Sequence, residues 1–451
     1  GNFVSFFSFL ASMVVRALFV FCFVSICVAF VSLPMEHTFI ENDHPLFGKF
    51  SERRGGAAVE NFEMGGNIYP VGIYWVSVNI GTPAQALLAA VDSGSSDLLV
   101  PSSSCTGCHE QNTGSFDTSK SSTLQSIGCD NSTIKCHFPC QGQCSFSNSY
   151  QTCNLTAPQQ VCTVKGDLYS DVYGQGDLTA SVVFGLIESQ TTNFQQFFVI
   201  DGVIGMAFAS GSSWGGTPPF ERLVEEGEVE DIFAMCMKPN AGGVLTLGGT
   251  DPSLYTGSFQ YTPLKKFFGQ YILYVLDVTD IQLNNTSIGL PTSDYTRYGT
   301  MGGCVLDSGT NTILLPAEIY AAWQTTFNSF YKPLCGSSAD VPAGICDGSL
   351  LSGTCYQYTQ AERESFPQIE LKLNDVTLVM NGPDYIVANS TDTTGAYYCM
   401  GVLNTGHGGN FIVGDVLMQN YYVVFDKQNK RIGWADPQMD NCIGSDSPIY
   451  Y

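Results

Sequence analysis

Two short stretches carry residues able to do chemistry as a pair: VDSGS at 91–95 and LDSGT at 306–310. Each places one Asp behind an apolar run and ahead of a Ser-Gly turn. A single such turn is ordinary, because Asp, Ser and Gly are common turn formers, and taken alone each Asp reads as a cap or an Asx-turn residue. The matched pair reads differently. If two halves of the molecule meet about a pseudo-twofold axis, Asp92 and Asp307 face each other across a cleft. Two carboxylates that close share a proton, and their titrations separate. One can then take a proton from water while the other gives one to a carbonyl oxygen, chemistry that hydrolyses an amide without metal or cofactor. Gly94 and Gly309 allow the tight turns that such loops need.

The elements that must position these loops are short strands. IYWVSVNI (73–80) alternates as a strand, GTPAQ (81–85) turns, and ALLAAV (86–91) delivers Asp92 before LLV (98–100) resumes. Further strand patterns occupy 178–187, 197–208 and 244–251, with a short helix at 220–227. The second half repeats the plan: strands at 272–283, GGCVLDSGT (302–310) delivering Asp307, a helix from Pro316 to Phe330, then strands at 369–375, 411–426 and 431–435. Two halves that each carry an apolar strand into D-S-G-[ST] indicate a duplicated domain.

Composition agrees with a large, strand-rich, exported protein. The chain has 451 residues, 47 of them Gly, and its net charge of -23 comes from 18 Lys plus Arg against 41 Asp plus Glu. So few basic residues leave no phosphate-gripping patch, which argues against a nucleic-acid partner. The apolar run at 17–32 has the length of a signal-peptide core; a signal anchor is the second reading and a buried helix the third. Residues 33–68 read as an irregular linker or short pro-segment, with Arg53-Arg54 as a cleavage point. Of 17 cysteines, eight crowd into 105–162, which points to disulfides in an oxidising lumen. Zinc held by Cys105 and Cys108 or by Cys140 and Cys144 is the competing reading. The stretch is expected to be a stapled surface excursion outside the core, with pairing left open. Cys304 is the candidate free thiol, and sequons at Asn131, Asn154, Asn284, Asn285 and Asn389 suit a glycoprotein.

With VDSGSSDLLVPSSSC and CVLDSGT, the motifs IGTPAQ (80–85), DGVIGMAF (201–208), GGVLTLGG (242–249), YTGSFQYTPL (255–264) and FIVGDVLMQNYYVVFD (411–426) resemble, in this order, the pepsin-like two-domain aspartic proteases. The resemblance runs from about Gly72 to Asn441. It implies a mainly β, bilobal fold with a pseudo-twofold axis and a cleft between an N-terminal lobe (69–250) and a C-terminal lobe (251–451). It implies Asp92 and Asp307 as catalytic residues, with Ser95 and Thr310 orienting them. VYGQG (172–176) matches the family's flap, which makes Tyr173, Gly174 and Gly176 substrate-binding residues. Leu99, placed with these flap and substrate-binding residues, stands where many relatives carry a tryptophan that bonds the flap tyrosine, so Tyr173 is expected to need another partner or a more mobile flap. Asn311 replaces a common Ser or Thr. The eight-cysteine insert is similar to that of the nepenthesin-like and plasmepsin V branch. The implied function is an aspartic endopeptidase acting on polypeptides, without cofactor or metal; the alternative is a catalytically silent lumenal binder. Relatives are secreted, vacuolar or endomembrane proteins, some held to the membrane, here through an N-terminal anchor or a C-terminal tail beyond Tyr451.

Overall fold

A computed structural model describes residues 57–67, 72–108, 114–150, 162–191, 200, 202–239, 241–299, 301–337, 340–392 and 395–444, with side chains at 389–392 excluded. The leader, Arg53-Arg54, Asn154, the Asn389 side chain, part of the 197–208 pattern and Tyr451 lie outside the described residues. Among those described, no helix is long and apolar enough to cross a membrane.

The local reading of the sequence carries over where alternation is strong. IYWVSVNI forms the strand Ile73–Ile80, and the run after the GTPAQ turn forms Gln85–Asp92, ending on the carboxylate itself. The helix foreseen from Pro316 spans Ala317–Tyr331; it buries Ile319, Tyr320, Trp323, Phe327 and Tyr331, the spacing that puts one apolar face on the core.

The two halves share one strand plan. In the first, Gln85–Asp92 runs parallel to Gly202–Gly205, with Asp92 opposite Gly205. That strand pairs antiparallel with Leu98–Thr106, which runs parallel to Leu178–Gln190. In the second, Cys304–Leu306 runs parallel to Ile412–Val413, which pairs antiparallel with Ile313–Leu315, itself parallel to Val402–Asn404. The chain thus leaves each carboxylate loop beside a strand from much later in its own half. This is the duplication that the paired turns suggested.

Two expectations need correction. The irregular segment placed at 33–68 ends in a strand: Glu60–Asn67 pairs with Gly243–Leu247 and then with Ile73–Ile80 inside a 14-stranded sheet. Its sequence, ENFEMGGN, lacks clean alternation, so its conformation comes from neighbours on both edges. The cysteine-rich stretch is not a mere surface excursion either. Its strand Ser145–Tyr150 pairs with Cys162–Gln175, and Cys144 and Phe146 join Leu99, Val164, Ile187, Val203 and Trp214 in a second apolar cluster.

The cysteines pair as Cys105–Cys108, Cys129–Cys140, Cys136–Cys144, Cys236–Cys442, Cys335–Cys346 and Cys355–Cys399, and Cys162 is also disulfide-bonded. The sulfurs put forward for zinc are therefore bonded to sulfur. Cys304 is free and buried, as expected for a small apolar side chain in a strand core.

One buried cation ties distant segments together. Lys427 is 1% exposed, and its Nζ donates to Glu221 Oε1 at 2.6 Å and to the Ala207 carbonyl at 2.9 Å. Removing one partner of a buried pair leaves the other charge without its counter-ion. Glu221 retains the Ala209 amide as a donor at 3.2 Å and some solvent contact. The Lys427→Met protein should therefore lose about 3 kcal/mol of unfolding free energy, the lower end for a broken buried pair. Urea titration of a catalytically silent form measures it, and an unchanged midpoint would show the pair to be energetically idle.

Candidate active site

The site is built by two loops that bond to each other through their second residues. Ser93 N–H donates to Ser308 Oγ at 3.0 Å, and Ser308 N–H donates to Ser93 Oγ at 2.9 Å. Each hydroxyl in turn donates across the axis, Ser93 to the Leu306 carbonyl at 3.1 Å and Ser308 to the Val91 carbonyl at 2.7 Å. Both serines are 0% exposed. All four bonds join one half to the other, so the loops hold a single relative position. Residue-by-residue reading of the sequence gave these serines no role. The available signal was their identity at matching positions between Asp and Gly.

That lock brings Asp92 and Asp307 together, 8% and 7% exposed. The glycines explain how closely. A Cβ on Gly94 would lie 2.4 Å from Asp307 Oδ1, and one on Gly309 would lie 2.5 Å from Asp92 Oδ1. Each carboxylate therefore rests against the other loop's glycine, where no side chain fits. Gly94 N–H donates to Asp92 Oδ1 and Gly309 N–H to Asp307 Oδ1, both at 2.8 Å. Ser95 Oγ donates to Asp92 Oδ2, and Thr310 Oγ1 donates to Asp307 Oδ2 at 2.8 Å. The structure thus places all six of these predicted residues in one constellation.

Behind each loop lies a supporting strand. Gly205 N–H donates to the Asp97 carbonyl, Met206 N–H to that of Asp92 and Ala207 N–H to that of Ser95, at 2.8–2.9 Å. In the other half, Asp415 N–H donates to the Thr310 carbonyl at 2.9 Å. A Cβ on Gly414 would lie 1.7 Å from that same oxygen, so the backbone approaches too closely for any side chain.

Electrostatics follow from burial. Desolvation pushes Asp92 above the usual carboxylate range, and the Asp307 charge pushes it further, against the donors Ser95 and Gly94. Asp307 is also raised by burial, but Thr310, Gly309, Asp92 and Gly94 all favour its charged form. Both carboxyls are raised by burial and each feels the other, so the pair titrates as a unit and shares one proton. A third carboxyl, Asp415, is 0% exposed, and neither of its oxygens has a hydrogen-bond partner among the described residues. Burial first, then the charges of Asp307 and Asp92, push it well above the ordinary range.

The remaining predicted residues divide. Tyr173, Gly174 and Gly176 sit on the hairpin Cys162–Gln175/Leu178–Gln190. Tyr173 is fully buried, and its phenol donates to Gln175 Oε1 at 2.7 Å, a partner two residues along the hairpin itself. Gly176 turns at φ 58° and rests against the Phe62 ring, which supports the hairpin tip. Leu99 does not join them. It is 0% exposed and packs with Phe146 over Gly185, so it offers no surface to a cleft. Asn311 acts through its backbone, accepting from Val416 N–H at 3.2 Å. Among the described residues no group of His, Cys, Asp and Glu is arranged to hold a metal.

Two facing, buried carboxyls that share a proton can activate a water and protonate a carbonyl oxygen in one step. Comparison with known proteins agrees with this geometry. The family model for eukaryotic aspartyl proteases matches residues 73–437. Pepsin A of Sus scrofa is 28% identical over 367 residues, covering 80% of each chain. Pepsin-3 of Oryctolagus cuniculus is 28% identical over 365 residues, again covering 80% of each. Pepsin A of Callithrix jacchus is 26% identical over 367. With that match spanning both carboxylate loops, the chain belongs to the eukaryotic aspartyl proteases, and it is an aspartic-type endopeptidase with their mainly β, bilobal fold.

Proposed function

We propose that Asp92 and Asp307 are the catalytic pair and that they cleave extended polypeptides between lobes spanning 69–250 and 251–451. The observation that carries this is the reciprocal Ser93–Ser308 lock, which seats each carboxylate against the opposite loop's glycine. With the pair's proton on Asp92, Asp307 takes a proton from the water held between the two carboxyls. The resulting oxygen nucleophile bonds to the scissile carbonyl carbon, and Asp92 gives its proton to the carbonyl oxygen. The gem-diol then collapses: the C–N bond breaks as the nitrogen receives the proton held by Asp307, and Asp92 regains one from the diol. Ser95 and Thr310 orient the carboxyls, while the Tyr173 hairpin with Gly174 and Gly176 covers the site and excludes water.

The finer placement rests on the insert. Eight cysteines between the first carboxylate and the hairpin tip at 172–176 support the nepenthesin-like and plasmepsin V branch. Disulfides and the apolar leader support folding in a secretory lumen, as a secreted, vacuolar or endomembrane enzyme, glycosylated and made as a zymogen. Attachment to a membrane would then run through the leader acting as an anchor. No observation favours the silent binder.

The test is cleavage of a mixed peptide library by the matured protein and its Asp92→Ala variant from about pH 3 to about pH 7.5, where the variant should be slower by about ten-thousandfold. The wild-type profile should be bell-shaped, failing at low pH as the pair takes up a second proton and at high pH as it loses the shared one. Equal cutting by variant and wild type would remove Asp92 from the reaction.

Stability offers a second measurement. Asp92, Asp307 and Asp415 are all raised in the folded state, so between the unfolded carboxyl pKa of about 3.9 and their folded values the native chain binds more protons. Stability is therefore full at the acid end and falls as pH rises. In an Asp307→Ala background, which cannot digest itself, the denaturation midpoint should decline from about pH 4 to about pH 7.5. Adding Asp415→Asn should flatten that decline; an unchanged slope would contradict it.

A further inference from the structure

The insert does more than decorate the first half: it returns a strand to the back of the first carboxylate loop. In Ser145–Tyr150 the side chains of Phe146, Asn148 and Tyr150 share one face, as alternate residues of a strand must. Phe146 packs on Leu99 and meets the Trp214 ring edge-on at 5.6 Å. Two residues on, Asn148 Nδ2 donates to Asp97 Oδ2 at 3.2 Å. Asp97 is 4% exposed and is fixed by Ser212 Oγ at 2.7 Å and Ser213 N–H at 3.0 Å, so the strand is docked on a rigid acceptor. Following this face from Leu99 to Asp97 leads along the chain towards Asp92, and the next residue on it is Tyr150, which is half-buried.

We propose that Tyr150, held by the Asn148–Asp97 bond, forms part of the substrate cleft wall beside Asp92 and selects large apolar or aromatic side chains next to the scissile bond. This rests on Asp92 and Asp307 being the catalytic pair. Asn148 also reaches the Tyr150 phenol, and the Asp92 and Asp97 charges, after burial itself, push that phenol up. A neutral phenol that senses the Asp92 charge and is still partly open to solvent is suited to a cleft wall. Its ring supplies apolar surface, and its hydroxyl is occupied by the insert. The insert thereby places an aromatic ring in a region where Leu99, turned into the apolar cluster, supplies none.

The experiment is site-resolved profiling of the same peptide library with wild type, Tyr150→Phe and Tyr150→Ala, with Asp92→Ala as the blank. Tyr150→Ala should lose about tenfold in kcat/KM, mainly through KM, on peptides with a large apolar residue at one position flanking the cut, yet change less than about threefold on peptides with a small residue there. Tyr150→Phe keeps the ring and should keep the profile. A uniform loss on every peptide would reduce Tyr150 to a structural residue, and no change would remove it from the cleft; either overturns the proposal. If Tyr150→Ala does not fold, Asn148→Ala, which frees the strand while retaining the ring, should blur preference at that one position, and an unaltered profile overturns the proposal. Should wild type cut nothing, the catalytic reading fails by itself, and calorimetric binding of the uncut peptides then judges Tyr150, with equal affinity for large and small residues counting against it.

Discussion

Everything at the centre of this molecule depends on four hydrogen bonds that Ser93 and Ser308 make across the pseudo-twofold axis. Two buried carboxyls repel when both are charged and lose hydration, so their approach must be enforced by something stronger than their mutual preference. Fully buried bonds that use both the amides and the hydroxyls of the two serines supply that force, and they leave neither serine's amide nor its hydroxyl unpaired. The glycines then set how near the carboxyls come. The supporting strands at Gly205 and Gly414 prevent either loop from backing away. The shared proton follows from that position: the geometry is fixed first, and the charge state adjusts to it.

How much of this was legible in the sequence depends on range. Asp92, Asp307, both glycines, Ser95 and Thr310 could be found because each motif is contiguous and its copies match. Ile73–Ile80 and Gln85–Asp92 could be found because alternation and a Thr-Pro turn are local signals. Glu60–Asn67 could not, since its strand conformation comes from partners at 73–75 and 243–247. The Ser93–Ser308 lock was hidden for the same reason, as was Asp415, whose importance lies in what surrounds it. Leu99 was assigned to the cleft from a neighbour's habit at that position. With no ring to project, its side chain joins the apolar cluster instead.

The insert shows how a fold can absorb a large addition without losing its centre. Disulfides close its short loops, which limits the entropy lost on ordering a stretch poor in apolar residues. Its strand Ser145–Tyr150 extends an existing sheet edge, and its apolar side chains share a cluster with the protease body. Gly185 makes room where Leu99 and Phe146 press together. An addition joined through a sheet edge, an apolar cluster and a buried carboxylate is part of the first half's architecture.

The strand Glu60–Asn67 sets a limit on proteolytic trimming. Its amides and carbonyls serve Gly243–Leu247 on one side and Ile73–Ile80 on the other, and Phe62 lies under the turn of the Tyr173 hairpin. Any cut upstream of Ala58 would leave this seam closed. A cut beyond Asn67 would open two sheet edges in the middle of the molecule and withdraw the cushion beneath Gly176. The ladder of the first strand therefore marks how far any trimming of the N-terminal side could reach before the sheet itself is opened.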